Sequence, residues 1–335
     1  MRATLLALSL LIAGALLARD VYRQLNEPLR IPTGYVVDVP RGAGLGALLR
    51  NWQRSGFLTS TRQRLYLSAY ARATGQARRV KAGEYELGPG MRPIDLTALL
   101  VSGKTVLHEL RLVEGWRFDE ALAAVRRHAA LEQTLPQDDA AALMTALGHG
   151  ELHPEGRFYP DTYRFPRGTT DVAFLKRAFD TMRAALGEEW AARDEGLPYR
   201  GPDDALTMAS IIERETGAAS ERAEIAGVFV RRLQKGMRLQ TDPTVIYGLG
   251  AAFDGNLRKR DLLADTPYNT YTRGGLPPTP ICLPGRAALR AALHPAPGKT
   301  LYFVSRGDGS HHFSETMTEH AAAVRKYQLG RRNTR

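Results

Sequence analysis

The sequence predicts an α+β protein with an N-terminal transmembrane helix, a small α+β subdomain and a larger mixed α/β domain. Three observations carry this. A charge-free apolar run opens the chain, strand and helix signals alternate from Val36 to Gly103, and a second set continues to the C-terminus with irregular stretches between them. A chain of 335 residues, 44% hydrophobic and 24% charged, excludes disorder, collagen and a multi-pass membrane protein. At about 150 residues per domain it has room for roughly two.

The run from Ala3 to Ala18 is bracketed by Arg2 and by Arg19-Asp20. It is slightly short of the about 17–25 residues of a typical span, so a cleaved signal peptide stays open beside an anchor. A buried core helix is a poorer reading, because the run has no polar face. Charge does not set its orientation, since Arg2 precedes it while Arg19, Arg23 and Arg30 follow. The expected organisation is an anchor over 1–20, a polar linker over 21–34 ending around Pro32, a small domain over 35–104 and a large domain over 105–335.

In the small domain, Val36 to Pro40 reads as a strand, and Leu45, Leu48, Leu49 and Trp52 step at helical spacing before Gly56. A helix over 61–74, a strand over 80–87, a Gly88-Pro89-Gly90 turn and a helix carrying Leu96, Leu99 and Leu100 complete it. In the large domain, Val106, Leu110 and Leu112 suggest a strand, and Phe118, Leu122 and Val125 a helix. The clearest helix carries Val172, Leu175, Phe179, Met182 and Leu186, with Thr170 or Asp171 as N-cap. Residues 203–215 read as a buried helix, and Ser220 as the N-cap of the next. Gly307-Asp308-Gly309 marks a hairpin, and Met317, Ala321 and Val324 a closing helix. The stretches 156–166 and 268–284 read as long loops, which inside a compact domain are usually functional.

Lys+Arg 46 against Asp+Glu 35 gives a net charge of +11, of which +10 lies on residues 21–335. Nucleic acid, anionic lipid headgroups and acidic polymers are the partners such a charge suits. Lone Cys282 permits no intrachain disulfide.

Glu213 closes the apolar run Ala209-Ser210-Ile211-Ile212. Desolvation raises a carboxyl pKa, and a glutamic acid still protonated near neutrality is a general acid. A surface glutamate paired with Arg214 or Arg231 is the competing reading. Glu215 stands about 200° further round the helix, so the two carboxylates do not share a site, and if one is catalytic the other is structural. Asp242, in RLQTDPTVIYG, is either a second carboxylate or the cap of a helix starting at Pro243. His311, His312 and His320 lack zinc-like spacing, so no metal and no cofactor is expected. No G-x-S-x-G, phosphate loop or H-E-x-x-H occurs.

Taken in order, VEGWRF (113–118), EGRFYPDTYRF (155–165), ASIIERET (209–216), RLQTDPTVIYG (238–248), YNTYTRGGLPPTPI (268–281) and the H-x-F of His311 to Phe313 resemble the endolytic murein transglycosylase (YceG-like) family. The resemblance implies a single-pass protein of the bacterial cytoplasmic membrane whose catalytic domain is extracytoplasmic. It implies a LysM-like subdomain over 35–104 and assigns the catalytic role to the first glutamate of its A-S-I-x-E-x-E-T motif, here Glu213. Gln240, Asp242, Tyr247, Asn269 and Tyr271 become the substrate-binding set, with Asp242 and Asn269 as readily loop-holding. Arg157 and Tyr159 depart from tryptophans common in the second motif, and His312 from a small polar residue.

The implied activity is endolytic, non-hydrolytic cleavage of the N-acetylmuramic acid–N-acetylglucosamine bond in nascent peptidoglycan glycan strands, leaving 1,6-anhydro ends and terminating strands during wall assembly. Peptidoglycan polymerases are the implied neighbours, and the export signal argues against nucleic acid. A lysozyme-type hydrolase and a membrane-tethered, non-catalytic glycan-binding or scaffold protein are the alternatives.

Overall fold

The structure, a computed structural model, describes residues 2–136 and 139–329. The outermost ends of the expected anchor and large domain, Met1 and residues 330–335, lie outside the described residues. Two compact units form, Met1–His108 with Arg164–Thr169, and Glu109–Tyr163 with Thr170–Arg335.

The first unit begins with helix α1 (Arg2–Asn26), long and apolar enough to cross a membrane. The polar linker expected from residue 21 is instead helical as far as Asn26. Its apolar residues explain the difference, because Leu25, Leu29 and Ile31 are buried in the unit's core. Strand β1 (Tyr35–Val39), helices α2 (Leu45–Arg54) and α3 (Thr61–Ala73), strand β2 (Gly83–Leu87) and helix α4 (Pro93–Ser102) follow. β1 and β2 pair antiparallel, with Val37 opposite Tyr85 and Tyr35 opposite Leu87. Alternation buries Val37, Val39, Tyr85 and Leu87 against Leu48, Leu49, Trp52, Leu67, Leu96 and Leu100. Ser60 caps α3 through Gln63 N (3.0 Å).

Strand β3 (Leu107–Arg111), helix α5 (Phe118–Arg127), the short strand β4 (Leu131–Glu132) and helix α6 (Ala140–Ala146) come next. Strand β5 (Thr162–Pro166) and the short β6 (Thr169–Thr170) precede the long α7 (Asp171–Ala191). The stretch read as a loop over 156–166 thus contains a strand, in which Tyr163 and Phe165 alternate inward. Thr170 is the N-cap of α7, its hydroxyl accepting from Ala173 N at 3.1 Å. Asp171 instead takes Thr134 N, Thr134 Oγ1 and Leu135 N.

The second unit continues through α8 (Pro202–Glu215), α9 (Arg222–Gln234), α10 (Asp242–Leu249), α11 (Lys259–Leu263) and α12 (Arg286–Leu293). The hairpin of β7 (Tyr302–Ser305) and β8 (His311–Ser314) and helix α13 (Met317–Val324) complete it. Ser220 is no cap: it sits in a 3₁₀ turn, and Glu221 precedes α9. α8 is the centre of this core. Leu206, Met208, Ala209, Ile211 and Ile212 pack against Ile225, Phe229, Leu239, Leu289 and Ala292, so polar side chains reach the surface only from the two end turns of α8, Asp203 and Asp204 at its start and Glu213 to Glu215 at its end.

Candidate active site

α8 ends in two carboxylates that the helix sends in different directions. Oε2 of Glu213 accepts the N–H of Gly285 at 2.9 Å, and Oε1 lies 3.6 Å from the Arg222 guanidinium. Gly285 is the residue before α12, so this carboxylate holds the start of a core helix, where a negative charge is favoured. A Cβ at residue 285 would fall inside the Glu114 carboxylate, so any larger residue there requires the Glu114 side chain to move. Burial raises the Glu213 pKa, opposed by Gly285 N–H and Arg222 and reinforced by Glu114.

Glu215 lines a cavity of about 370 Å³ together with Gln240, Asp242, Tyr271, Tyr302 and His311. Burial pushes its carboxyl up to about 7; Asp242 adds to that, while Thr241, His311 and Arg232 pull against it. Thr241 Oγ1 donates to Glu215 Oε2 at 2.7 Å. The sequence placed the functional role on Glu213, yet Glu213 is absent from this cavity. Its side chain leaves the helix on the side facing Gly285, as two residues at 100° each require.

Three of the five expected substrate-binding residues share the cavity with Glu215, namely Gln240, Asp242 and Tyr271. Gln240 has φ 52°, the one non-glycine residue with left-handed backbone among those described. Such backbone is costly for a side chain and concentrates at functional sites. It is held by Gln240 N to Thr270 O (3.1 Å) and by Arg232, whose guanidinium donates to Leu239 O at 2.8 Å. Asp242 is not the cap of α10. Thr241 occupies that position and Asp242 is the first helical residue, leaving its Oδ1 to accept the Tyr271 hydroxyl at 2.6 Å.

Asn269 and Tyr247 do not line the cavity. Asn269 is fully buried: its Nδ2 donates to Asp261 O, Leu262 O and Ala264 O, and its Oδ1 accepts Tyr271 N at 2.8 Å. Both ends of the amide are engaged in shaping the loop that carries Tyr271. Tyr247 donates to Oε2 of buried Glu155 at 3.0 Å and lies under the Arg117 guanidinium, 4.9 Å from its ring centroid. Glu155 also accepts Phe118 N at 2.9 Å, and burial pushes it up to about 7.

The profile of the YceG-like family matches residues 37–326. The chain belongs to that family. The endolytic murein transglycosylase of Bacillus subtilis (strain 168) is 31% identical over 337 residues, covering 95% of this chain and 91% of its own length. The protein of the same name from Streptococcus pneumoniae (strain D39) is 25% identical, and the match spans 87% of this chain but 58% of that protein. A YceG-like protein from Listeria monocytogenes, solved by crystallography, superposes with a TM-score of 0.54 at 29% identity, covering 86% of this chain and 98% of that one.

The YceG-like chain holds two further cavity groups that the sequence reading did not assign. His311 is fixed by Glu221, whose carboxylate accepts both its backbone N–H (2.9 Å) and its Nδ1 (2.7 Å). The H-x-F motif marks its position in the sequence. Among the described residues no group of three or more His, Cys, Asp or Glu is arranged to hold a metal. Arg232 is buried and donates to four acceptors around Leu239 and Leu301, a role with no local sequence signature. Cys282 lies fully buried against Ser210 O, where burial raises its thiol well above the ordinary range. It is a small core residue.

Proposed function

We propose that this chain is an endolytic murein lytic transglycosylase, a lyase that cuts the N-acetylmuramic acid–N-acetylglucosamine bond of glycan strands, with Glu215 as its acid and base. The observation that carries the reading is one cavity holding a carboxyl raised to about 7 beside Asp242, Gln240 and Tyr271. The names of the Bacillus and Streptococcus relatives support the reaction class. Glu213, which the motif resemblance favoured, is the rival. Its carboxylate accepts Gly285 N–H and lies 3.6 Å from Arg222, away from the cavity.

Protonated Glu215 donates to the glycosidic oxygen as the bond to muramic C1 breaks and its electron pair leaves with that oxygen. The 2-acetamido group relieves the oxocarbenium charge at C1. The C6 hydroxyl then closes on C1 and returns its proton to the Glu215 carboxylate, leaving a 1,6-anhydro end without consuming water. Tyr271 and Gln240 supply an aromatic face and an amide of the kinds that sugars bind. Thr241 donates a hydrogen bond to the Glu215 carboxyl and offsets part of the rise that burial gives its pKa.

A second reading has a specific observation behind it. Asp242 gives the cavity a second carboxylate, and a pair of carboxylates is what a lysozyme-type hydrolase uses. Mass spectrometry of products from uncrosslinked glycan separates the two. Anhydro ends, 18 Da lighter than their hydrated counterparts on the order of one water, support the lyase; reducing muramic ends alone sink it. A non-catalytic scaffold releases no product in the same assay.

The remaining features join this proposal. α1 runs unbroken from exposed leucines into the packed residues after Asp20, which supports a retained single-pass anchor with the rest of the chain outside the cytoplasmic membrane. The first compact unit, Met1–His108 with Arg164–Thr169, contains the strands and most of the core of residues 35–104, which supports a LysM-like subdomain there ahead of a catalytic domain over 105–335. So tethered, the enzyme acts on nascent strands beside the polymerases that make them and sets where strands terminate. Cross-linked membranes that yield none of those polymerases would count against that placement.

A further inference from the structure

The formal charge is divided unevenly between the two units. The first carries 17 Lys and Arg against 6 Asp and Glu, and the second carries 29 of each. The whole of the +11 therefore resides in the unit that includes α1. Solubility alone gives no reason for so one-sided a distribution, whereas an anionic surface does.

The packing of α3 on α1 says where that surface is. Ser60 Oγ donates to Gln24 Oε1 (3.1 Å) and Gln63 Nε2 to Gln24 O (3.4 Å), while Tyr66 OH donates to Asp20 Oδ2 (3.0 Å). As numbering falls along α1 it rises along α3, so α3 runs back toward the apolar end of α1. Asp20 stands two residues past Ala18, the end of the charge-free run, about 3 Å along a helix axis. The N-terminal half of α3 is thus already near the level at which α1 leaves its apolar stretch.

One face of α3 is core, through Gln63, Leu67 and Ala71. On another, Arg62, Leu65, Ala69 and Arg72 recur at helical spacing and all are exposed, Leu65 at 52%. Exposed Arg78 and Arg79 follow just beyond the helix. Tyr22 on α1 is 71% exposed, an aromatic where membrane proteins place interfacial rings.

We propose that the α3 face bearing Arg62, Leu65 and Arg72, extended by Arg78 and Arg79, lies on the anionic lipid headgroups of the membrane that α1 crosses. The inference rests on the reading of α1 as a retained span. Guanidinium groups pair with lipid phosphates and Leu65 enters the headgroup layer. The span supplies the local concentration that makes several weak contacts sufficient. The first unit is then seated on the bilayer instead of swinging from its anchor.

The test uses the full chain in lipid nanodiscs, labelled with an environment-sensitive fluorophore at Leu65→Cys or, as a control, at Leu6→Cys. In discs containing phosphatidylglycerol, headgroup-attached nitroxide should quench the residue 65 label at least threefold more than in phosphatidylcholine discs. High salt or the triple change Arg72→Glu, Arg78→Glu, Arg79→Glu should abolish the difference. A residue 65 label equally open to water in both lipids, with residue 6 buried in lipid, overturns the docking and spares the anchor. A residue 6 label in water overturns both. If the triple change instead weakens binding to purified sacculi while residue 65 stays in water, the basic face serves the glycan and the lipid proposal fails.

Discussion

Thr241 Oγ1 donates to Glu215 Oε2 at 2.7 Å, while the same residue's backbone N–H donates to Thr270 Oγ1 at 3.1 Å. One residue therefore ties the Glu215 carboxyl at the end of α8 to the 268–284 segment that carries Tyr271. The bond favours the ionised carboxylate and offsets part of the desolvation that raises Glu215. With Glu215 at about 7, kcat/KM should be flat at acid pH and fall about tenfold per pH unit above that value, since the acid must enter the reaction protonated. Thr241→Val should move that alkaline limb upward by roughly half a pH unit to one, at little cost to the maximal rate. A limb that stays in place or moves down in pH-rate profiles of the two enzymes would contradict this role.

Glu155 makes stability depend on pH. Its folded pKa of about 7 lies above the ordinary glutamate value, so between roughly pH 4.5 and 7 the folded state binds the extra proton. Its contribution is fully present below that window and is lost as pH rises through it, on the order of 3 kcal/mol. Glu155→Gln keeps an acceptor for Phe118 N and offers Tyr247 a donor. Thermal melts of this variant from pH 5 to 8 should decline less steeply than those of the parent. Parallel curves would show that Glu155 does not carry the slope.

Asn269 shapes the loop by satisfying three carbonyls and one N–H at once. Asn269→Ala leaves those buried groups unpaired and should cost about 2–4 kcal/mol. Activity should fall with it, through Tyr271, even well below the melting temperature. Urea titration paired with rate measurements checks both. Full activity at unchanged stability would mean that the clamp is dispensable.

Much of the fold was legible because the elements obey their periodicities. The helices around Leu48, Leu67, Leu96 and Phe179 and the hairpin around Gly307 all lie where apolar spacing and glycine stops put them. α12 was missed, since Arg-Ala-Ala-Leu-Arg-Ala-Ala-Leu buries mostly alanines and gives a weak apolar stripe. The strand over 162–166 was hidden by the prolines around it. At the site, the sequence singled out the end of α8, where two carboxylates two residues apart point to different surroundings: Glu213 to Gly285 N–H and Glu215 to the cavity. Glu213 follows the apolar run directly, and what separates its surroundings from those of Glu215 is where Gly285 N–H and Thr241 Oγ1 arrive from distant segments. No local pattern encodes that.

Glu213→Gln and Glu215→Gln, assayed side by side on uncrosslinked glycan with product mass spectrometry, test the assignment of the acid most directly. Glu215→Gln should lower turnover about 10²–10⁴-fold while melting close to the parent. Glu213→Gln should keep turnover within about threefold and lose stability, on the order of 1–2 kcal/mol, through its weakened hold on α12. The reverse outcome, a folded Glu213→Gln without anhydro products and an active Glu215→Gln, would contradict the account and return the acid to Glu213.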